Sequence, residues 1–185
     1  MTCVVGLVEK IKDKKIVWMG ADSAGTNMQT LAIRTRLDPK IYVNDEYIFG
    51  YTDSFRMGQI LARSFLAPLI PEGMDNYTFM ITHFVEEIRR CFKEGGYSKI
   101  ENNEETGGEF MVGFRGTIYH IFSDYQVGIN RENYDAIGCG EEFALGSFFS
   151  TDGFIKNPKK RIITALKCAA YFSAAVKEPF FVEKL

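Results

Sequence analysis

The stretch MTCVVG, residues 1–6, places a threonine directly after the initiator methionine and then runs into apolar residues that favour β-strands. We predict a strand over residues 2–9, a charged hairpin tip over residues 10–15 and a return strand over residues 16–20. Aminopeptidases that trim the initiator methionine accept a small second residue, so we expect Met1 to be removed. The mature chain would then begin in a sheet, with the hydroxyl of Thr2 next to a free α-amine.

The composition predicts one globular domain over residues 1–185. The chain has 46% hydrophobic residues and a net charge of −2, which argues against a nucleic-acid partner. It shows no signal peptide and no apolar run of the roughly 18 residues that a membrane span requires, so we expect a cytoplasmic protein. Four separated cysteines without CxxC spacing indicate reduced core thiols, and His83 and His120 have no partner spacing. We therefore predict no metal and no cofactor.

The order of predicted elements favours an α+β protein. Hairpins come first, and helical periodicity follows from Ser54 and again over residues 77–93. We expect loops at residues 23–27 and from Gly95 to Gly108, the latter a mobile surface loop. Further strands, two more helices and a final strand at residues 180–182 complete the order. Strands in runs and helices in pairs are typical of layered α+β folds rather than doubly wound sheets.

The chemistry of Thr2 depends on its position in the chain. A hydroxyl is a weak nucleophile until a base takes its proton, and an N-terminal residue carries such a base in its own α-amine. The reference pKa of an α-amine is about 7.7–8.0, and a nearby ammonium would increase the neutral fraction at pH 7. The chain must therefore supply a lysine near Thr2. The alternative is that Thr2 is an ordinary strand residue.

Four segments in order resemble the proteasome β-subunit family, and most closely its bacterial HslV-type threonine peptidases. They are TCVVGLVE at residues 2–9, WMGADSAGT at residues 18–26, DPKIYVNDEYIFGYTDS at residues 38–54 and DAIGCGEEFALGS at residues 135–147. The resemblance spans both ends of the chain. It implies an N-terminal nucleophile hydrolase fold, which in this family is a four-layer α-β-β-α sandwich.

The resemblance also implies roles for particular residues. Thr2 would be the nucleophile and its α-amine the general base, Lys40 the active-site lysine and Asp22 the carboxylate that orients this lysine. Both side chains stand where a strand ends or begins beside the N-terminal hairpin, although each position also suits an ordinary turn or surface residue. The spacing from Thr2 to Asp22 is longer than in typical members, and the added residues fall in the hairpin tip.

Near the carboxyl end the chain departs from the family pattern. Cys139 stands between Gly138 and Gly140, where the family has a serine, and a thiol is a weaker hydrogen-bonding group than a hydroxyl. Ser173 matches the family's serine at the end of the last long helix. Ala170 and Tyr171 occupy the region where the family has an aspartate, which leaves the α-amine with less support.

The segment GYTDS is a third departure. The resemblance implies that its last position gives a backbone N–H to the oxyanion, and Asp53 stands at or beside that position where the family has glycine. An aspartate tolerates left-handed backbone, but its carboxylate near a developing negative charge would oppose catalysis. Thr52, Gly138 and Gly140 are also expected to contribute to the oxyanion and substrate pocket.

These residues predict a threonine-type endopeptidase that cleaves unfolded polypeptides within a homo-oligomeric ring, with an ATP-dependent unfoldase as a possible partner. Two alternatives stay open. The chain could be a catalytically weak or inactive ring subunit, or an amidohydrolase that cleaves a small non-peptide amide. Cys3 would become the terminal nucleophile only if Met1 and Thr2 were both removed.

Overall fold

The computed structural model describes residues 2–27, 29–30 and 32–185, so the predicted removal of Met1 lies outside the described residues. The N-terminal hairpin consists of β1 (Val4–Ile11) and β2 (Lys14–Ala21), paired in register from Val4 opposite Ala21 to Ile11 opposite Lys14. Only Lys12, at a φ of 53°, and Asp13 lie between the two strands. The hairpin is thus confirmed, but its tip is shorter than the predicted residues 10–15.

The remaining elements follow the predicted alternation of strands and helices. The strands are β3 (Ala24–Thr26), β4 (Ile33–Thr35), β5 (Ile41–Asn44), β6 (Tyr47–Tyr51), β7 (Lys99–Glu101), β8 (Glu104–Thr106), β9 (Phe110–Phe114), β10 (Thr117–Ile121), β11 (Val127–Gly128), β12 (Tyr134–Ile137) and β13 (Phe181–Lys184). The helices are α1 (Phe55–Arg63), α2 (Asn76–Phe79), the π-helical turn Met80–Phe84, α3 (Val85–Glu94), α4 (Glu141–Thr151) and α5 (Pro158–Phe172).

Two larger antiparallel sheets organise the described chain. The first sheet has the order β12-β1-β2-β13, and the second sheet has the order β11-β10-β9-β6-β5. The hairpins β3-β4 and β7-β8 each form a separate two-stranded sheet. The N-terminal strand β1 is therefore an interior strand of the first sheet, flanked by β2 and by β12.

Among the residues that the structure describes, hydrophobic side chains form three buried clusters. One cluster packs α1, α2, the π-helical turn and α3 on the second sheet, with Phe49, Phe84 and Phe110 fully buried. Another packs α4 and α5 on the first sheet. A third, which includes Met19 and Met111, joins the first sheet to the second. Helices and sheets thus share their cores, as expected for an α+β fold.

The apolar run at the N-terminus is explained by burial on both faces of β1. Val5 and Leu7 belong to the cluster under α4 and α5, whereas Val4 belongs to the cluster between the sheets. Successive side chains of a strand point to opposite faces, so a strand covered on both sides needs apolar residues at consecutive positions. The sequence TCVVGLV meets this need.

Three segments differ from the sequence prediction. The expected loop at residues 23–27 contains β3, which pairs with β4. The expected mobile loop from Gly95 to Gly108 contains the hairpin β7-β8, whose turn residues Asn102 and Asn103 adopt φ of 51° and 68°. Asparagine tolerates this left-handed backbone and so allows a tight hairpin. The strand β12 was not predicted, because its polar residues Tyr134 and Asp135 obscure the strand pattern.

The predicted helix starts are confirmed at α1 and α5. The side chain of Ser54 accepts a hydrogen bond from Arg56 N–H, and Asn157 accepts one from Lys160 N–H with Pro158 in the first turn. The helix predicted over residues 77–93 spans α2, the π-helical turn and α3. Over the described residues, no helix combines the length and the apolarity needed to cross a membrane.

Candidate active site

A buried ion pair connects the two sheets next to the N-terminus. Asp22 follows β2 of the first sheet, and Lys40 precedes β5 of the second sheet. Lys40 Nζ donates a hydrogen bond to Asp22 Oδ1 at 2.7 Å. The two side chains are 1% and 0% exposed. Such a pair is retained only where further hydrogen bonds satisfy the charges.

Backbone donors supply those bonds to Asp22. Its Oδ1 atom also accepts from Cys3 N–H at 3.0 Å, and its Oδ2 atom accepts from Ala24 N–H at 2.9 Å and Lys177 N–H at 3.2 Å. Lys177 lies after α5 and contributes through its backbone, which is why no sequence pattern singled it out. The carboxylate thus holds the start of the chain, the end of β2 and the segment after α5 together.

The surroundings of Lys40 favour its neutral form more than water does. Burial lowers the pKa of Lys40, and the coulombic attraction and hydrogen bond of Asp22 oppose this shift. The ammonium also lies 5.7 Å from the centroid of the Phe55 ring. Lys40 is therefore a buried, oriented amine rather than the solvated surface lysine of the alternative interpretation.

Thr2 lies beside this pair. It is 5% exposed. The next residue, Cys3, makes two hydrogen bonds with Asp22: its N–H donates to the carboxylate, and its carbonyl accepts from Asp22 N–H at 3.2 Å. A cavity of about 50 Å³ is lined by Thr2, Thr26, Lys40, Tyr51, Thr52, Asp53, Ser54 and Phe55. We call it the threonine pocket. It brings Thr2 together with three other residues that the sequence singled out, Lys40, Thr52 and Asp53.

Cys3 is a poor candidate for a nucleophile. It is fully buried, and burial raises the pKa of its thiol well above the ordinary value, with the charge of Asp22 adding to the shift. A thiol held protonated is a weak nucleophile.

The glycines around Cys139 allow close packing against the N-terminus. Gly138 has a φ of 89°, and a Cβ at this position would collide with the carbonyl oxygen of Thr2. A Cβ on Gly140 would lie 2.9 Å from Cys3 Cβ. Cys139 Sγ donates to the Thr2 carbonyl at 3.4 Å. Its thiol is exposed, which corrects the prediction that the cysteines are core thiols; all four are free.

Ser173, which ends α5, completes this side of the site. Its hydroxyl donates to Cys139 Sγ at 3.6 Å, so Ser173, Cys139 and Thr2 form a chain of hydrogen bonds. Ala170 and Tyr171 stand in the region where the resemblance implied an aspartate, and neither side chain is acidic. Tyr171 is 83% exposed.

On the opposite side, Asp53 lies in a tight turn. Its φ is 53°, in the left-handed region that aspartate tolerates better than most residues. Its Oδ2 atom accepts a hydrogen bond from Glu109 N–H at 2.8 Å. Thr52 is 4% exposed, and its N–H donates to the Glu109 carbonyl at 3.2 Å. The carboxylate of Asp53 therefore has a backbone donor of its own.

Sequence reasoning missed a histidine cluster behind this turn. His120 Nε2 lies 2.9 Å from Glu109 Oε1, and His120 Nδ1 lies 3.5 Å from Asp135 Oδ2. Burial alone would lower the pKa of His120, but hydrogen bonds to Asp135 and Glu109 raise it to about 9. The available signal was the pair of polar residues His120 and Asp135 within otherwise apolar strands. His83, by contrast, is exposed and contacts the hydroxyl of Thr82.

A larger cleft adjoins the threonine pocket. It measures about 740 Å³ and shares Thr26 and Phe55 with the pocket. Its wall includes Arg36, which stacks 3.9 Å from the centroid of the Phe55 ring and pairs with Asp38. The pocket could hold a reacting group, and the cleft has room for several residues of an extended chain.

The described residues contain no cluster of three or more His, Cys, Asp or Glu side chains arranged to bind a metal ion. The threonine pocket is lined instead by Thr2, which carries a hydroxyl, and by Lys40, whose ammonium is paired with the carboxylate of Asp22. This set suits nucleophilic attack by Thr2 once a base is available at its amine.

The architecture is an α+β fold of two larger antiparallel sheets with helices packed on both of them. Solved structures of proteasome-type threonine peptidases share this fold with the chain. BPH from Thiobacillus denitrificans, solved in complex with epoxomicin, aligns with a TM-score of 0.77 at 16% identity over 98% of this chain and 97% of that one. Eukaryotic HslV from Trypanosoma brucei aligns with a TM-score of 0.65 at 15% identity over 100% and 99%.

The resemblance to HslV-type proteins is therefore confirmed at the level of the fold. No protein-family model matches the chain. No curated protein sequence matches it either.

Proposed function

We propose that this protein is a threonine-type endopeptidase with Thr2 as its nucleophile. The single observation that carries the proposal is the buried Lys40–Asp22 pair, which places an ammonium in the same 50 Å³ pocket as Thr2. A buried lysine costs free energy, and it is typical of functional sites where its charge acts on a neighbouring group. The proposal requires that Met1 be removed, so that Thr2 carries a free α-amine.

The reaction proceeds through an acyl-enzyme. The α-amine takes the proton of the Thr2 hydroxyl as its oxygen attacks the peptide carbonyl. The resulting ammonium then protonates the leaving amine, which leaves the acyl group as an ester on Thr2. In the second half, the α-amine takes a proton from water as the oxygen of that water attacks the ester. The bond from the acyl carbon to the Thr2 oxygen then breaks, the acid is released, and the α-ammonium returns its proton to the Thr2 oxygen. Lys40 lowers the pKa of the α-amine and stabilises negative charge on the threonine oxygen.

The other site residues orient this reaction. Asp22 holds Lys40, and the chain from Ser173 through Cys139 holds the Thr2 carbonyl between Gly138 and Gly140. Thr52 and Asp53 form the wall on which the carbonyl oxygen of a substrate would lie. The adjoining 740 Å³ cleft supports a polypeptide substrate rather than a small amide.

The wider organisation is proposed on the same resemblance. We infer a single domain over residues 1–185 with a four-layer α-β-β-α sandwich, which the three buried clusters support. We further propose a homo-oligomeric ring in the cytoplasm that receives unfolded polypeptide from an ATP-dependent unfoldase. The chemistry described above uses no metal and no cofactor.

Epoxomicin offers a direct test, because BPH was solved in complex with it. The purified protein is incubated with epoxomicin, and intact mass followed by peptide mapping locates the adduct. We expect a chain that begins at Thr2 and an adduct on Thr2. The variant Thr2→Ser, which keeps a hydroxyl, should label; Thr2→Ala, which has none, should not. Cleavage of unfolded casein should follow the same order, with activity in the wild type and in Thr2→Ser and none in Thr2→Ala.

The outcomes separate the candidates. No adduct on a chain that begins at Thr2 would indicate an inactive ring subunit. An adduct without any cleavage of casein or short peptides, but with turnover of small amides, would indicate an amidohydrolase. Equal labelling of Thr2→Ala would contradict the assignment of the nucleophile.

A further inference from the structure

The turn that carries Asp53 interrupts a sheet in an unusual way. β6 pairs with β9 as far as Tyr51 opposite Phe110, so a continued ladder would set Thr52 opposite Glu109. One bond of that next pair forms, because Thr52 N–H donates to the Glu109 carbonyl at 3.2 Å. The reciprocal N–H of Glu109 donates instead to the carboxylate of Asp53 at 2.8 Å. The side chain of Asp53 thus replaces a backbone acceptor.

The Thr52 carbonyl is used within the turn. Ser54 N–H donates to it at 2.6 Å, which closes a three-residue γ-turn with Asp53 at its centre and a φ of 53°. A γ-turn with positive φ at its central residue is rare and strained. Such a conformation persists only where its surroundings hold it. The bond between the Asp53 carboxylate and Glu109 N–H is a contact that holds the central residue.

Glu109 is itself held on its side chain. Its Oε1 atom lies 2.9 Å from His120 Nε2, and His120 in turn faces Asp135. The carboxylate of Glu109 is thus directed at His120, and its backbone stays available to the turn. The turn is therefore anchored to both sheets.

We propose that Asp53 is a positioning residue: its carboxylate, bound to Glu109 N–H, keeps the γ-turn in the form that presents the Asp53 backbone N–H to the substrate carbonyl attacked by Thr2. This inference rests on the proposed function. Asp53 and Thr2 line the same pocket. Because the carboxylate is engaged by a backbone donor, its charge is directed at Glu109 rather than at the developing oxyanion. A residue that would oppose catalysis in another orientation supports it here.

Variants at Asp53 distinguish the effect of its hydrogen bond on activity from the effect of its charge and from the effect of backbone strain. Asp53→Asn keeps an oxygen that accepts from Glu109 N–H, Asp53→Ala removes the acceptor, and Asp53→Gly removes it while relieving the strain of positive φ. The matched control is Asp45→Ala, because Asp45 is an exposed aspartate with a φ of 49° at the far end of the same β5-β6 hairpin. Each variant is compared for steady-state cleavage of an unstructured peptide, rate of epoxomicin labelling and thermal unfolding.

We expect Asp53→Ala to lower kcat by on the order of 10- to 100-fold with little change in KM, because an oxyanion donor acts in the transition state. Asp53→Asn should stay within about threefold of wild type, since its amide oxygen preserves the bond. The kcat of Asp53→Gly should be lower than that of Asp53→Asn, even if Asp53→Gly unfolds at a higher temperature. Asp45→Ala should match wild type in kcat.

Each remaining outcome overturns a defined claim. A wild-type protein that begins at Thr2 but neither labels nor cleaves overturns the proposed function and, with it, this inference. If wild type is active and Asp53→Ala or Asp53→Gly is equally active, only the positioning role is overturned. If Asp53→Asn loses as much kcat as Asp53→Ala, the charge matters rather than the hydrogen bond, and the positioning role also fails.

Discussion

At the scale of single residues, Asp22 holds separate segments of the chain together. Its carboxylate accepts from the Lys40 ammonium and from the backbone of Cys3, Ala24 and Lys177. Each of these groups would be left without its partner if the carboxylate were removed. A buried charge without compensation is expensive, so Asp22 is expected to matter for stability as well as for the reaction.

The substitution Asp22→Ala should lower the free energy of unfolding by about 3–5 kcal/mol, because it leaves the Lys40 ammonium buried without a counter-charge. The matched control is Asp38→Ala. Asp38 forms an ion pair with Arg36 in which the side chains are 40% and 42% exposed. Its loss should cost less than about 1 kcal/mol. Urea unfolding monitored by circular dichroism measures both, and equal losses would show that the buried pair has no special role.

Cys139 is the second residue with a specific consequence. Its thiol donates to the Thr2 carbonyl, and a hydroxyl is a stronger donor than a thiol. Cys139→Ser should therefore label with epoxomicin at least as fast as wild type. Cys139→Ala removes a bond worth about 1 kcal/mol, which corresponds to roughly a fivefold slower rate. Cys168→Ala, on α5, serves as the control and should be neutral. A Cys139→Ala variant that labels at the wild-type rate would contradict this role.

At the scale of elements, the polar cluster on β10 and β12 connects the two sheets. His120 belongs to β10 of the second sheet and Asp135 to β12 of the first. His120 also stacks on Phe122 with ring centroids 3.9 Å apart. Its pKa of about 9 means that the imidazolium is the form present at neutral pH, held between two carboxylates.

This cluster predicts a pH dependence of stability. The folded pKa of His120, about 9, exceeds the model-peptide value of 6.5, so the folded state binds the proton more tightly than the unfolded state. The stabilisation is complete below pH 6.5 and is lost as the pH rises through 9. Relative to His120→Gln, wild type should lose on the order of 2 kcal/mol between pH 6.5 and 9.5.

Urea unfolding at the two pH values measures that difference. His83→Gln provides the control, because His83 is exposed on the π-helical turn, and this variant should follow the wild-type pH profile. A wild type and a His120→Gln variant with parallel pH profiles would show that the cluster does not link the sheets through its charge.

At the scale of the whole molecule, several large aromatic side chains remain exposed on α4 and α5 and just after α4. They are Phe149 (78%), Phe154 (86%), Tyr171 (83%) and Phe172 (62%). Large apolar side chains that are exposed in a group are typical of protein interfaces. The proposed ring predicts that such surface is covered when copies of the chain assemble.

Sedimentation velocity tests this assembly. The species that labels with epoxomicin should have a mass that is an integer multiple of the 21.0 kDa chain. Its dissociation on dilution should reduce peptide cleavage, because the proposed ring shapes the chamber around each site. A fully active species at 21.0 kDa would contradict the ring while leaving the proposed chemistry of Thr2 intact.

The sequence alone determined the strands, helices and their order where local patterns are strong. The apolar run after Thr2 required a strand buried on both faces, and the Asn157-Pro158 pair required a helix start. The segment around Lys40, residues 38–54, is one of the four that resemble the proteasome β-subunit family. Local patterns failed at β3, β4, β7, β8 and β12, because short or polar strands carry little periodic signal and depend on their partners for stability.

Only the tertiary structure decided how the site residues meet. Three hydrogen bonds join segments that are far apart in the chain: Lys40 to Asp22, Glu109 N–H to the Asp53 carboxylate, and Lys177 N–H to Asp22. The last two depend on backbone N–H groups, which every residue other than proline possesses and which therefore leave no mark in the sequence. The physical reason is that side-chain identity states what a residue could bind, whereas packing of the two sheets determines which donors reach it.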